Sequence, residues 1–194
     1  MKQRRLLEAQ VELWTTDAKK LAESGKEAAA LDLYRRAADE LSGAPWLQHR
    51  TAELARKLRQ NDIAIVYFRR AATAFQIADF PKRAIAPLRT AWALAIESLP
   101  TTSKLLVDLA VELMQLHRRL GFAADATVTF ERTNAALRAQ GFSEIPTQVL
   151  EGMERATPDR AKSDVAPRTS GSSPAESSPS SRSRALARLF GRRG

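Results

Sequence analysis

His49 and Glu53 lie four residues apart, so a helix through them would set an imidazole and a carboxylate one turn from each other, as a general acid–base pair requires. Little else in the chain supports catalysis. Ser24-Gly25-Lys26-Glu27 lacks the upstream glycine of a phosphate loop, and Glu27 stands where a magnesium-binding hydroxyl would be needed. No serine occupies a G-x-S-x-G turn. With two histidines and no cysteine, the chain can form no disulfide or thiolate metal site and has little from which to build any other metal centre. The carboxylates fall singly beside Lys or Arg. The expectation is a protein that is not an enzyme, with no catalytic residues, no cofactor and no metal.

The elements that must position these side chains read as helices throughout. Apolar residues recur at helical spacing, and no stretch alternates with period two. A first helix over about Leu6–Ala22 sets Leu6, Leu7, Val11, Trp14, Ala18 and Leu21 on one face and stops at Ser24-Gly25. A second covers about Lys26–Leu41, and a third about Pro45–Arg59 with Leu47, Leu54 and Leu58 inward. Asn61-Asp62 should cap a fourth that runs to about Asp79. Pro81 suits the first turn of a fifth, in which Pro87 should bend the helix or shift its start. Thr101, Thr102 and Ser103 offer caps to a sixth, which Gly121 closes. A seventh spans about Ala123–Ala139, and a weaker eighth from Ile145-Pro146 to about Ala156 packs Val149, Leu150 and Met153 as an end piece.

Composition agrees with this. Hydrophobic residues make up 44% of 194, dominated by Ala and Leu, and aromatics only 6%. The net charge of +9 is uneven: residues 1–156 carry +4, while the 38 residues from 157 to 194 carry +5. No run approaches the roughly 20 apolar residues of a membrane span, and Glu8 and Glu12 interrupt any leader, so a cytoplasmic protein is expected. From Thr157 to Ser183 there are nine serines, four prolines and one large aliphatic, Val165, a composition expected to stay disordered. The division is therefore a helical domain over 1–156, a Ser/Pro-rich linker over 157–183 and a short basic amphipathic piece over 184–194.

An A-x3-[FY]-x2-A pattern occurs as Ala30, Tyr34, Ala37 and returns 34 residues later as Ala64, Phe68, Ala71. A fixed period of this size marks stacked helix pairs that bury their apolar faces only against one another. Before the first pattern, Trp14, Ala18 and Leu21 take the Trp, Gly and Tyr places of W-x2-L-G-x2-Y, with Asp17 departing from the Leu. In the second unit Gln48 departs from the Trp, and Ala52 and Ala55 match small positions. A later unit pairs Leu113, Met114 and His117 with Gly121, Ala126 and Phe130. Ala84, Leu88 and Ala91 also fit the second-helix pattern, which leaves the fifth helix outside the regular pairing. Over about residues 10–140 the chain resembles the tetratricopeptide repeat family.

The resemblance implies an all-α, right-handed α-solenoid of seven to eight antiparallel helices that grips a peptide in the groove lined by the first helix of each pair. Carried over, the groove positions are Glu12, Thr15, Lys19, Ala22 and Glu23 in the first unit and Trp46, His49, Glu53, Arg56 and Lys57 in the second. The mostly basic second set suits an acidic peptide, though Arg56 and Lys57 also read as plain solvated charges. Trp14, Trp46 and Trp92 read first as packing residues, with Trp46, just after Pro45, the best ligand contact of the three. At the end of the chain, Leu186, Leu189 and Phe190 group apart from the row Arg184, Arg188 and Arg192. That piece reads as a solvated tail, a motif docking into a partner, or a weak membrane-surface anchor. The function implied is a non-catalytic adaptor or scaffold with protein partners and no small-molecule substrate. The alternatives are a chaperone for a secretion or assembly client, and a binder of membrane surface or nucleic acid driven by the tail.

Overall fold

The computed structural model describes residues 2–98 and 102–156, and the linker and terminal motif read from the sequence at 157–194 lie outside them. The described residues hold eight α-helices and no strand: α1 (Lys2–Glu23), α2 (Glu27–Glu40), α3 (Pro45–Lys57), α4 (Asn61–Ile77), α5 (Pro81–Glu97), α6 (Ser103–Arg119), α7 (Ala123–Ala139) and α8 (Thr147–Ala156). Each of α1 to α6 packs on the next in sequence, and α8 lies on α6.

Small residues sit where helices meet. Ala18, Ala30, Ala37, Ala64 and Ala71 are wholly buried, as is Phe68, and Tyr34 nearly so. Trp14 and Leu21 pack half-buried against the same core. The apolar face expected of α1 holds only over its C-terminal part. Leu6 is 71% exposed, because α1 has 22 residues against the 14 of α2 and its first turns outrun their neighbour.

Five helices end in one way. The residue after the C-cap turns left-handed (Gly25, Arg59, Asp79, Gly121, Gly141; φ 60° to 83°). The next N–H then donates back to a carbonyl five residues earlier, as Lys26 does to Leu21 at 2.9 Å and Phe80 to Phe75 at 2.8 Å. Arg59 and Asp79, read from the sequence as the last helical residues of α3 and α4, are therefore the residues that stop them. The expected side-chain caps do not form. Asn61 is already helical, Gln60 precedes it, and neither α4 nor α6 has a capping side-chain bond. The Thr102 hydroxyl instead donates to the Ala95 carbonyl at 2.8 Å, tying the start of α6 to α5. α5 begins at Pro81 and continues through a buried Pro87, so its start is not shifted.

Buried polar side chains complete the backbone bonding. α2 has no left-handed stop. Gln48 of α3, wholly buried, donates to the Ala38 and Leu41 carbonyls at 2.5 and 3.5 Å and so serves the end of α2. Asn134 donates to the Ile145 carbonyl at 3.1 Å and accepts from its N–H at 2.8 Å, pinning the segment before α8 to α7.

Other bonds skip one helix. Asp39 of α2 accepts from Tyr67 at 3.0 Å and Arg70 at 2.5 Å, both on α4. Arg69 of α4 forks onto Glu112 of α6, and Arg119 of α6 reaches Gln76 of α4. Trp92 of α5 donates to Thr133 of α7 at 2.9 Å. The lateral partner of α6 is thus α4, and that of α7 is α5. α6 also packs directly on α7, as the sequence pairing expected, and the bond from Trp92 gives α5 a place beside α7. The regular spacing fails there because α4 begins 34 residues after α2, but α6 begins 42 after α4.

A non-glycine left-handed residue costs about 1–2 kcal/mol, offset in part by the entropy of glycine. Asp79→Gly should therefore stabilise the fold by about 0.5–1 kcal/mol. Gly121→Ala, whose new methyl meets no neighbour within 4 Å, should cost about 1 kcal/mol from backbone strain alone. Urea unfolding of both variants checks this. His117 of α6 is buried, and its Nδ1 has no hydrogen-bond partner among the described residues. Burial, against an opposing pull from Asp125, holds its imidazole below the ordinary value of 6.5. Between the lowered folded value and 6.5 the unfolded chain therefore binds more proton than the folded one. Stability is then full above about 6.5 and declines as pH falls below it. Melting temperature should drop between pH 7.5 and 5.5, and His117→Gln should flatten that drop.

Candidate functional site

A cleft of about 830 Å³ is lined mainly from three odd-numbered helices. α1 contributes Lys19, Ala22 and Glu23; α3 contributes Arg50, Glu53, Leu54, Arg56 and Lys57; α5 contributes Leu94 and Glu97. Tyr34 and Glu27 of α2, with Arg59 and Asn61 at the α3–α4 turn, complete it. A second hollow of about 370 Å³ adjoins it through shared Lys19, Tyr34 and Arg50, and adds Thr15, Thr16 and Trp46.

Helix periodicity explains this lining. Leu47, Gln48, Thr51, Ala52 and Ala55 take the buried side of α3. Trp46, Arg50, Glu53 and Lys57 then follow one another at steps of four, three and four residues on the other side, with Leu54 beside Glu53. Pro45 at the first helical position starts this row, because its missing N–H costs nothing there.

Of the groove residues inferred from the sequence, the cleft gathers Lys19, Glu23, Glu53, Arg56 and Lys57. Trp46, 58% exposed, lines the hollow. His49 lines neither: its ring stands edge-on to Phe68 of α4, with centroids 5.5 Å apart. Glu53 bonds instead to Arg56 at 2.7 Å, so the imidazole and carboxylate are engaged with different partners. Arg184, Leu186, Arg188, Leu189 and Phe190 lie outside the described residues. Arg50, Tyr34, Arg59, Leu94 and Glu97 were missed. The helical row through Trp46 already pointed to Arg50. Leu94 and Glu97 had no such signal, because α5 fell outside the repeat register.

Most charges in the cleft are engaged. Lys57 pairs with Glu27, Arg56 with Glu53, and Lys19 approaches Glu23 at 3.9 Å. Arg50, Arg59 and Glu97 have no such partner among the described residues. In the hollow, the Thr15 and Thr16 hydroxyls both donate to the Glu12 carbonyl, at 2.9 and 2.8 Å. With those hydroxyls engaged, the two threonines offer mainly methyl groups.

No protein-family model matches the chain, and neither does any curated protein or solved structure. Among the described residues no helix is long and apolar enough to cross a membrane.

The cleft's free charges can be altered without loss of fold. Arg50→Glu should shift stability by no more than about 0.5 kcal/mol, as surface changes do. Phe68→Ala, beneath His49, should cost about 3–5 kcal/mol. Thermal denaturation of the pair checks the contrast.

Proposed function

We propose that the chain is a non-catalytic adaptor or scaffold that holds a segment of a protein partner in the cleft of α1, α3 and α5. The observation that carries this reading is the cleft itself: open, lined mainly from three helices and holding two cations, Arg50 and Arg59, that bond to nothing else among the described residues. We further read the architecture as a tetratricopeptide-like, right-handed α-solenoid of antiparallel helices. Two sets of bonds support the antiparallel stacking. Across α2 and α3, Lys57 meets Glu27, Thr51 meets Tyr34 and Gln48 meets Ala38, so partners advance on one helix as they retreat on the other. Across α4 and α6, Arg69 meets Glu112 and Gln76 meets Arg119, which advance together by seven residues on each helix. Opposed neighbours and aligned second neighbours are what stacked hairpins require. The cleft then belongs to the first-helix side of the stack, and a cytoplasmic setting goes with this reading.

A photoreactive residue placed at Arg50, and separately at exposed Val66 on α4, tests the reading with bound partner. Cross-links should form from position 50 and not from 66, in the full chain and in residues 1–156 alike. Cross-links confined to 66 would overturn it. So would capture that disappears without residues 182–194 and falls steeply between about 50 and 200 mM salt, the signature of binding driven by the basic tail.

A further inference from the structure

We propose, resting on the cleft reading above, that the bound segment carries an apolar anchor and a carboxylate two residues apart, the anchor seated against Trp46 and the carboxylate held by Arg50. The hollow beside the cleft supplies the first half. Trp46 is exposed there, Tyr34 forms part of its wall, and the two threonine hydroxyls are turned back onto Glu12. An aromatic or branched aliphatic side chain entering it removes apolar surface from water against Trp46, the Tyr34 ring and the threonine methyls.

The second half comes from the charges. Lys19, Arg56 and Lys57 each have a glutamate within 4.0 Å, so a ligand carboxylate would have to compete for them. Arg50 does not, and it lines both the hollow and the cleft. Its planar guanidinium can take a carboxylate through two parallel N–H donors. Arg59, also unengaged, lines the cleft too, as does the unengaged Glu97, so the five basic and four acidic side chains of the lining leave one net positive charge.

The spacing follows from geometry. Trp46 and Arg50 are one helical turn apart, about 6 Å between Cβ atoms. Residues i and i+2 of an extended peptide lie about 6.6 Å apart on one side of the chain. The ligand pattern is therefore an apolar residue, any residue, then Asp or Glu, or the reverse order. The chain's own end, with Arg184, Arg188 and Arg192, brings the wrong sign to Arg50 and is not this ligand.

A displayed library of random 12-residue peptides, panned on the full-length protein, tests the assignment. Only peptides that fail to bind Arg50→Glu are scored, which cancels selection by the basic tail common to both proteins. The scored set should be enriched in the apolar–x–acidic spacing. Arg50→Glu, panned by itself, should favour Lys or Arg at the acidic place. Trp46→Ala should weaken the best peptide about tenfold in fluorescence anisotropy, whatever its acid. Peptides that cross-link to position 50 but show no acidic or spacing bias would overturn this assignment and leave the cleft reading standing. If no peptide distinguishes wild type from an Arg50→Glu/Trp46→Ala double variant, both fall. Circular dichroism of each variant confirms that it is folded.

Discussion

Close approach between helices, permitted by alanine, is the constraint on which the structure rests. Ala18, Ala30, Ala37, Ala52, Ala55, Ala64, Ala71, Ala84, Ala91, Ala95, Ala110 and Ala126 are all wholly buried. Each presents only a methyl group, so backbones can come near without any side chain being forced off its rotamer. The cost is that an alanine buries little apolar area. The larger side chains, among them Phe68, Leu31, Leu47, Ile65, Leu88 and Leu113, must then fill what the alanines leave open. Neither kind suffices alone, and both depend on the neighbouring helix being in place.

Backbone satisfaction is arranged across helices as well as within them. Gln48 serves α2 from α3, Thr102 serves α5 from the start of α6, and Asn134 serves the segment before α8 from α7. Losing one helix would therefore strip bonds from the next, leaving buried polar groups unpaired at about 1–3 kcal/mol each. This ties the helices together more firmly than surface ion pairs such as Arg138–Glu144 can. The cleft inherits this rigidity. Its α3 row is set by a helix whose opposite face carries both the α2 contact and the buried Gln48.

Much of this was legible in the residues. Apolar spacing located all eight helices, and Gly25, Gly121 and Gly141 marked three of their ends. The other left-handed ends were hidden because Arg59 and Asp79 are ordinary helix-surface residues by type. The Gln48 contact was hidden because a glutamine in a tryptophan place reads as a lost match, while its value lies in carbonyls ten and seven residues back. The cleft was half legible. Repeat positions pointed to Lys19, Glu23, Glu53, Arg56 and Lys57, yet the same register chose His49 over Arg50. One step around a helix separates a ring packed on Phe68 from a guanidinium facing the cleft. The contribution of α5 could not be read, since it needs the lateral bond from Trp92 to Thr133 to define its layer.

That each helix from α1 to α6 rests on its successor bears on how the chain acquires its shape. Connectors such as Ser24–Lys26 and Leu58–Gln60 join partners across only three residues. Loop closure over so short a stretch is rapid and costs little entropy. The links that skip a helix span only about 28 to 43 residues. Low contact order of this kind goes with folding on the microsecond-to-millisecond scale. It also lets the leading hairpins assemble during synthesis, while the rest of the polypeptide is still being made.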